Sequence, residues 1–161
     1  MHERAADFTD RARDEHDLDL ETTEFPEGTK TAEDAADAVG CEVAQIASSI
    51  VLVAGGDPVV VVTSGANRVD FGKLAAERGV DERDVRMAEA DEVREATGYA
   101  IGGVPPFCHH GDHGPVPTYL DDTLTEFDTV WAAAGTPEAV FPISPDELRA
   151  CANATVLDVA E

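Results

Sequence analysis

Residues 45–75 read QIASSIVLVAGGDPVVVVTSGANRVDFGKLA, and this stretch decides the fold class. Ser49 to Val53 and Pro58 to Thr63 are rich in β-branched residues, whose stiff side chains suit a pleated sheet. Between them, Ala54-Gly55-Gly56-Asp57 places glycine where a tight hairpin needs positive φ. Gly65-Ala66-Asn67 then turns the chain into an expected helix from about Asp70 to Arg78, which Gly79 stops. A hairpin followed by a helix excludes a simple repeat of βαβ units. It points to a mixed α/β fold, a sheet or barrel flanked by helices.

Working outward, Ala5, Phe8, Ala12 and His16 share one face of an opening helix over about residues 2–16. LDLETTEF, residues 18–25, alternates as a strand does, and Pro26-Glu27-Gly28 breaks it. Thr31 with Asp34 forms a capping-box pattern ahead of an Ala-rich helix that ends at Gly40. Beyond the hairpin, Val85 to Ala88 reads as a short strand and Glu89 to Ala96 as a helix. Strands are expected at Thr118–Leu120, Thr129–Ala133 and Val140–Ile143, with a short helix from Asp122 capped by Asp121. Ser144 and Pro145 cap and start a helix, and ATVLDV can pair as a last strand. The chain shows no repeat and no linker, so residues 1–161 are expected to form a single domain.

The charge is extreme. There are 34 acidic residues against 11 basic ones, a net charge of −23, and the acids are spread along expected helices rather than gathered in a tail. Such self-repulsion is tolerable where salt screens it, since the Debye length falls to ~3 Å at 1 M. The pattern therefore reads as adaptation to high salt. The 43% of hydrophobic residues supply a core and exclude disorder. There is no apolar run long enough to span a bilayer and no apolar leader segment. Cys41, Cys108 and Cys151 are odd in number and lack a CxxC pair, which fits reduced thiols. A cytoplasmic protein with no membrane partner is expected.

The most specific segment is Thr97-Gly98-Tyr99-Ala100-Ile101-Gly102-Gly103-Val104-Pro105-Pro106-Phe107. It resembles the TGY-x-x-GG-x-x-P-F signature of the YbaK/EbsC family, which includes the prolyl-tRNA editing domain and free-standing aminoacyl-tRNA deacylases. Residues 31–41, 45–75 and 116–148 resemble further stretches of that family in the same order. The resemblance covers roughly residues 25 to 150. It implies a six- or seven-stranded mixed, barrel-like sheet surrounded by helices. It also implies hydrolysis of the ester joining a small amino acid, such as alanine or cysteine, to tRNA, acting in trans. The implied partners are the aminoacylated acceptor end of tRNA and a synthetase; no DNA partner, cofactor or metal belongs to this chemistry.

The loop suits that work. An oxyanion needs preorganised donors, and backbone N–H groups approach closely where side chains are absent. Gly102 and Gly103 are thus catalytic candidates, and Gly102 with Pro106 fits the family's G-x-x-x-P element. Asp121, in the Tyr-x-Asp-x-x-Leu context of Tyr119 and Leu124, matches a functional aspartate that would hold the α-ammonium or the ribose. It is equally readable as a helix cap. Tyr99, Pro106, Phe107 and Gly135 are carried over as substrate-binding positions. Arg68 and Lys73 are candidate phosphate contacts.

Two departures matter. The family's Q-I-x-K-[ST]-[LI]-V segment is here Gln45-Ile46-Ala47-Ser48-Ser49-Ile50-Val51, so Ser48 stands in the place of the catalytic lysine. Three readings stay open: hydrolysis carried by the loop and the substrate's own ribose hydroxyl, a relocated cation at Arg68 or Lys73, or a module that binds without turnover. The second departure is Cys108-His109-His110-Gly111-Asp112-His113. It offers metal ligands, solvated histidines or a pocket-facing acid–base, and Cys108 is a conceivable nucleophile. Its close spacing does not by itself build a tetrahedral site, and the sequence shows no second ligand group to complete one.

Overall fold

The computed structural model describes residues 3–25, 31–111 and 116–161. Five α-helices are described: α1 (Glu3–His16), α2 (Ala32–Val39), α3 (Phe71–Arg78), α4 (Ala90–Thr97) and α5 (Pro145–Ala152). Eight strands form one mixed sheet: β1 (Thr23–Glu24), β2 (Ile46–Ala54), β3 (Asp57–Ser64), β4 (Val85–Met87), β5 (Thr118–Asp121), β6 (Val130–Ala133), β7 (Ala139–Ile143) and β8 (Thr155–Leu157). Their order is β1-β7-β6-β2-β3-β5-β8, with β4 also paired to β2. The sheet thus carries one or two strands more than expected, the additions being very short.

The β2–β3 hairpin is its spine. Ala54 faces Asp57 across the turn, and Gly55 and Gly56 hold φ of 60° and 88°, as a two-residue hairpin loop requires. β2 pairs in parallel with β6 at its start and antiparallel with β4 at its end, so it carries two different neighbours along one edge. β3 continues through parallel pairing to β5, and β5 to β8.

Alternation along the hairpin feeds a core on each face. Val51, Val53, Val60 and Val62 join Phe8 of α1, Val93 of α4 and Leu148 of α5. Leu52, Ala54, Val59 and Val61 join Leu74 of α3. Val59 to Val62 are wholly inaccessible to solvent. Burying each such valine is worth about 1.5–3 kcal/mol relative to exposure. A strand covered on both faces reads as a continuous apolar run, which is how VVVV reads.

The caps follow the sequence. Thr31 accepts from Asp34 N, Asp70 from Lys73 N and Ser144 from Glu147 N, while Gly40, Gly79 and Gly98 close their helices in the left-handed region. The expected strand over residues 18–25 shrinks to Thr23–Glu24, which pairs with Val140 and Ala139 of β7. Asp17 turns at φ 55° directly after α1, and Leu18 and Leu20 pack on the core. The preceding residues therefore bridge from helix to sheet rather than lying along it. Pro26-Glu27-Gly28, the expected break, lies outside the described residues.

Candidate active site

Two adjoining cavities open beside β2. The first, of about 390 Å³, is lined by Ser64, Gly65, Asn67 and Arg68 after β3, by Phe71 of α3 and by Glu161. The second, of about 300 Å³, runs between Ile46–Val51 of β2, Trp131–Ala133 of β6, Val93 of α4, and Ile101, Gly102 and Val104 of the glycine-rich loop. Ala32, Ser48, Ile50 and Met87 line both. Ser48 therefore stands at the junction, because one β2 residue borders the polar end of β3 on one side and the apolar floor on the other.

The loop places its two glycines differently. Gly102 has φ 86°, and a Cβ built there would meet nothing within 4 Å. Among the described residues no group accepts a hydrogen bond from its N–H. The Gly103 N–H, by contrast, donates to Ala100 O at 3.0 Å, and a Cβ at Gly103 would strike Thr136 Cα at 2.8 Å. Gly103 is thus a turn and packing residue whose donor is already used, a correction to the pair of oxyanion donors expected from the sequence.

The remaining loop positions anchor it. Tyr99 and Phe107 are almost fully buried around Phe8, and Pro106 is buried too. The Tyr99 hydroxyl donates to Cys108 O at 3.2 Å, and burial pushes its pKa up. None of these three lines a cavity; they hold the loop to α1 from behind. Gly135 also turns away, since a Cβ there would meet Arg4 O at 2.8 Å and Phe8 Cβ at 3.1 Å. The β6 wall of the second cavity is built instead by Ala132 and Ala133.

Asp121 is wholly buried and lines neither cavity. Its carboxylate accepts from Ser64 N, Asn67 Nδ2 and Thr123 N, each at 3.0 Å. The helix-cap reading therefore holds, and the same group also fastens the Ser64–Asn67 turn. Direct contact with an α-ammonium is not the role this geometry offers. Asp121 holds Asn67, a residue read from the sequence only as part of a turn, and Asn67 lines the first cavity beside Arg68.

The two candidate cations part company. Arg68 is exposed and lines the first cavity. Lys73 lies outside both cavities, with Nζ 3.1 Å from Asp158 Oδ1 and 2.7 Å from Ala160 O. Its charge is spent on the C-terminal segment, so it does not replace the missing lysine. Ser49, also unremarked in the sequence, borders the second cavity, and its Oγ is buried without a hydrogen-bond partner among the described residues. Phe71 and Trp131 are further lining residues that the motif did not signal.

The Cys108 segment faces elsewhere. Burial is the main cause that pushes the Cys108 thiol up to about 12, and Cys108 lines neither cavity, so it is no nucleophile for this site. The His109 ring nitrogen Nε2 bonds Pro105 O at 2.7 Å, and desolvation lowers its pKa. The His110 ring packs edge-on to Tyr99. His109 braces the loop from within, whereas His110 is exposed to solvent while resting against Tyr99. Asp112 and His113 lie outside the described residues.

Comparison with known proteins agrees with this geometry. A Bacillus subtilis (strain 168) protein of uncharacterised function, YwhH, is 36% identical over 129 residues, covering 80% of this chain and 78% of its own length. The Acidithiobacillus ferrooxidans proline–tRNA ligase is 31% identical over 104 residues, which are 65% of this chain and 18% of the ligase. The solved structure of a proposed trans-editing enzyme for prolyl-tRNA synthetase has a TM-score of 0.91 at 41% identity, over 100% of this chain and 99% of its own. The model of the aminoacyl-tRNA editing domain matches residues 26–151. With its mixed sheet, its loop and its paired cavities, this chain belongs to the aminoacyl-tRNA editing domain family.

Proposed function

We propose that this protein hydrolyses, in trans, the ester of a tRNA mischarged with a small amino acid such as alanine or cysteine. The observation that carries the reading is Gly102. Among the described residues its N–H has no acceptor, and its missing side chain leaves the second cavity open at the point where a carbonyl would approach. The apolar walls from Ile46, Val51, Val93 and Trp131 suit a small aminoacyl group. Asn67, Arg68 and Phe71 in the first cavity suit the terminal adenosine, by hydrogen bonding, phosphate contact and stacking. The ester then spans Ser48. As water or the adjacent ribose hydroxyl attacks, negative charge grows on the carbonyl oxygen. A fixed backbone donor stabilises that charge without reorganising. No metal or organic cofactor enters these steps.

A second reading is favoured by one observation, the serine at position 48. With no lysine at the junction, the domain would capture aminoacyl-tRNA, or an aminoacyl-adenosine-like ligand, without turnover. Binding of a non-hydrolysable aminoacyl-adenosine analogue at molar KCl tests the placement common to both readings. Amide resonances of Gly102, Asn67 and Arg68 should shift together on addition of the analogue. Shifts confined to other regions would refute the site. Synthetase association and a high-salt working environment belong to the same proposal, the latter resting on the net charge of −23.

A further inference from the structure

The loop that carries Gly102 continues into Cys108, and the sequence alone shows no partner for that thiol. The fold supplies one. Glu15 and His16 end α1, and a Glu15 carboxylate oxygen, a His16 ring nitrogen and Cys108 Sγ all lie within 4.8 Å of one another. None of the three lines either cavity. Among the described residues, none of these ligand atoms is engaged in an ion pair or hydrogen bond. We propose that Glu15, His16 and Cys108 form a binding site for a thiophilic divalent cation, zinc by its ligand chemistry, that ties the end of α1 to the glycine-rich loop.

The donor set selects the metal. Thiolate and imidazole favour zinc or a similar transition ion, whereas magnesium and calcium require oxygen ligands. Zinc–sulfur and zinc–nitrogen bonds of about 2.3 and 2.0–2.1 Å set neighbouring ligands roughly 3.2–3.7 Å apart on a tetrahedron. A spread of up to 4.8 Å closes by small side-chain rotations. Glu15 is exposed and supplies most of that movement, while the half-buried His16 ring stands edge-on to Phe107 at 5.5 Å between centroids and needs only a small rotation. Cys108 does not need it. It is fixed at φ 62°, its carbonyl is held by Tyr99, and its neighbour His109 is bonded to Pro105 O. His109 does not compete for the ion, since its ring nitrogen Nε2 is bonded to Pro105 O, and His110, exposed beside Tyr99, is not among the three clustered ligands. Binding displaces one proton from the Cys108 thiol and leaves the fourth coordination position to water. Thiolate and carboxylate together neutralise the dication, which makes burial beside the Phe8 core tolerable.

Cobalt(II), added to the full-length reduced protein without a histidine tag, reports on this directly. One equivalent should produce visible absorption of a tetrahedral site together with a thiolate-to-metal charge-transfer band, and zinc should bleach both. Cys108→Ser should remove the charge-transfer band, and His16→Gln, at the end of α1, should weaken binding at least tenfold. Circular dichroism confirms that each variant is folded. Absence of the band in the native protein overturns the proposal. So does its survival in Cys108→Ser, which would assign the thiolate to Cys41 or Cys151, or unchanged affinity in His16→Gln.

Discussion

Gly102 and Ser48 both line the second cavity, and in the proposed reaction each makes a sharp demand. A side chain at Gly102 would strain a backbone at φ 86° and fill the approach to the second cavity. Gly102→Val should therefore abolish hydrolysis while circular dichroism stays near native and the melting temperature falls by the cost of the strained backbone; full retained rate would make the loop structural. At Ser48 the expectation runs the other way. Ser48→Lys should restore a cation at the junction and raise deacylation about 10²-fold, the lower end of the ~10²–10³ worth of one oxyanion donor. A Lys variant that gains nothing, with Ser48→Ala losing nothing, would put Ser48 outside the chemistry. Asp121 is different in kind. Asp121→Ala leaves Ser64 N, Asn67 Nδ2 and Thr123 N without their acceptor, so denaturant unfolding should show a loss of about 1–3 kcal/mol or more. Ser49→Ala removes a buried hydroxyl that has no partner among the described residues and should be neutral or stabilising. A clear loss of stability there would mean that a bound water satisfies it.

At the scale of elements, α1 is the brace for the glycine-rich loop. Phe8 is wholly buried and packs against Phe107 and Phe141 with ring centroids 5.5 and 5.2 Å apart. Phe8→Ala should cost about 3–5 kcal/mol and loosen the loop, so hydrolysis should fall before the fold is lost on warming. Coincident loss of both would mean that loop and core melt as one unit. The elements were readable where local chemistry and tertiary packing agree. The Gly55-Gly56 turn, the Thr31, Asp70 and Ser144 caps and the VVVV strand each carry their own instruction. Residues 18–25 alternate like a strand, yet only two of them pair, because partner edges are not written in local periodicity. Of the residues proposed for the site, Gly102 and Arg68 do line a cavity. Gly103, Gly135 and Lys73 do not, because a motif match cannot say which way a residue faces or what has already claimed its donor. Asn67 and Phe71 were not proposed for the converse reason, since only the fold brings the end of β3 and the start of α3 to one cavity.

For the molecule as a whole, the net charge of −23 is the ground for the proposed high-salt working environment. Exposed pairs such as Arg11–Asp7, Arg13–Asp19 and Arg86–Glu92 tie up arginines that would otherwise be free for a polyanion. A net charge of −23 repels tRNA at low salt. In concentrated salt, release of counterions from phosphates contributes little, so basic patches gain little there. Grip must then come from the base and the aminoacyl group in the two cavities. Binding of a minimal aminoacylated acceptor end should change little between 1 and 3 M KCl, and a tenfold loss would show that phosphate contacts dominate. The melting temperature should rise steeply as KCl is raised from dilute buffer, because screening relieves the crowded acids. The most direct measurement of all is steady-state deacylation at molar KCl, with tRNA mischarged with alanine or cysteine in large excess over the protein. Hydrolysis in trans predicts many turnovers per protein molecule, lost in Gly102→Val; stoichiometric protection of the ester, with no turnover, would contradict it.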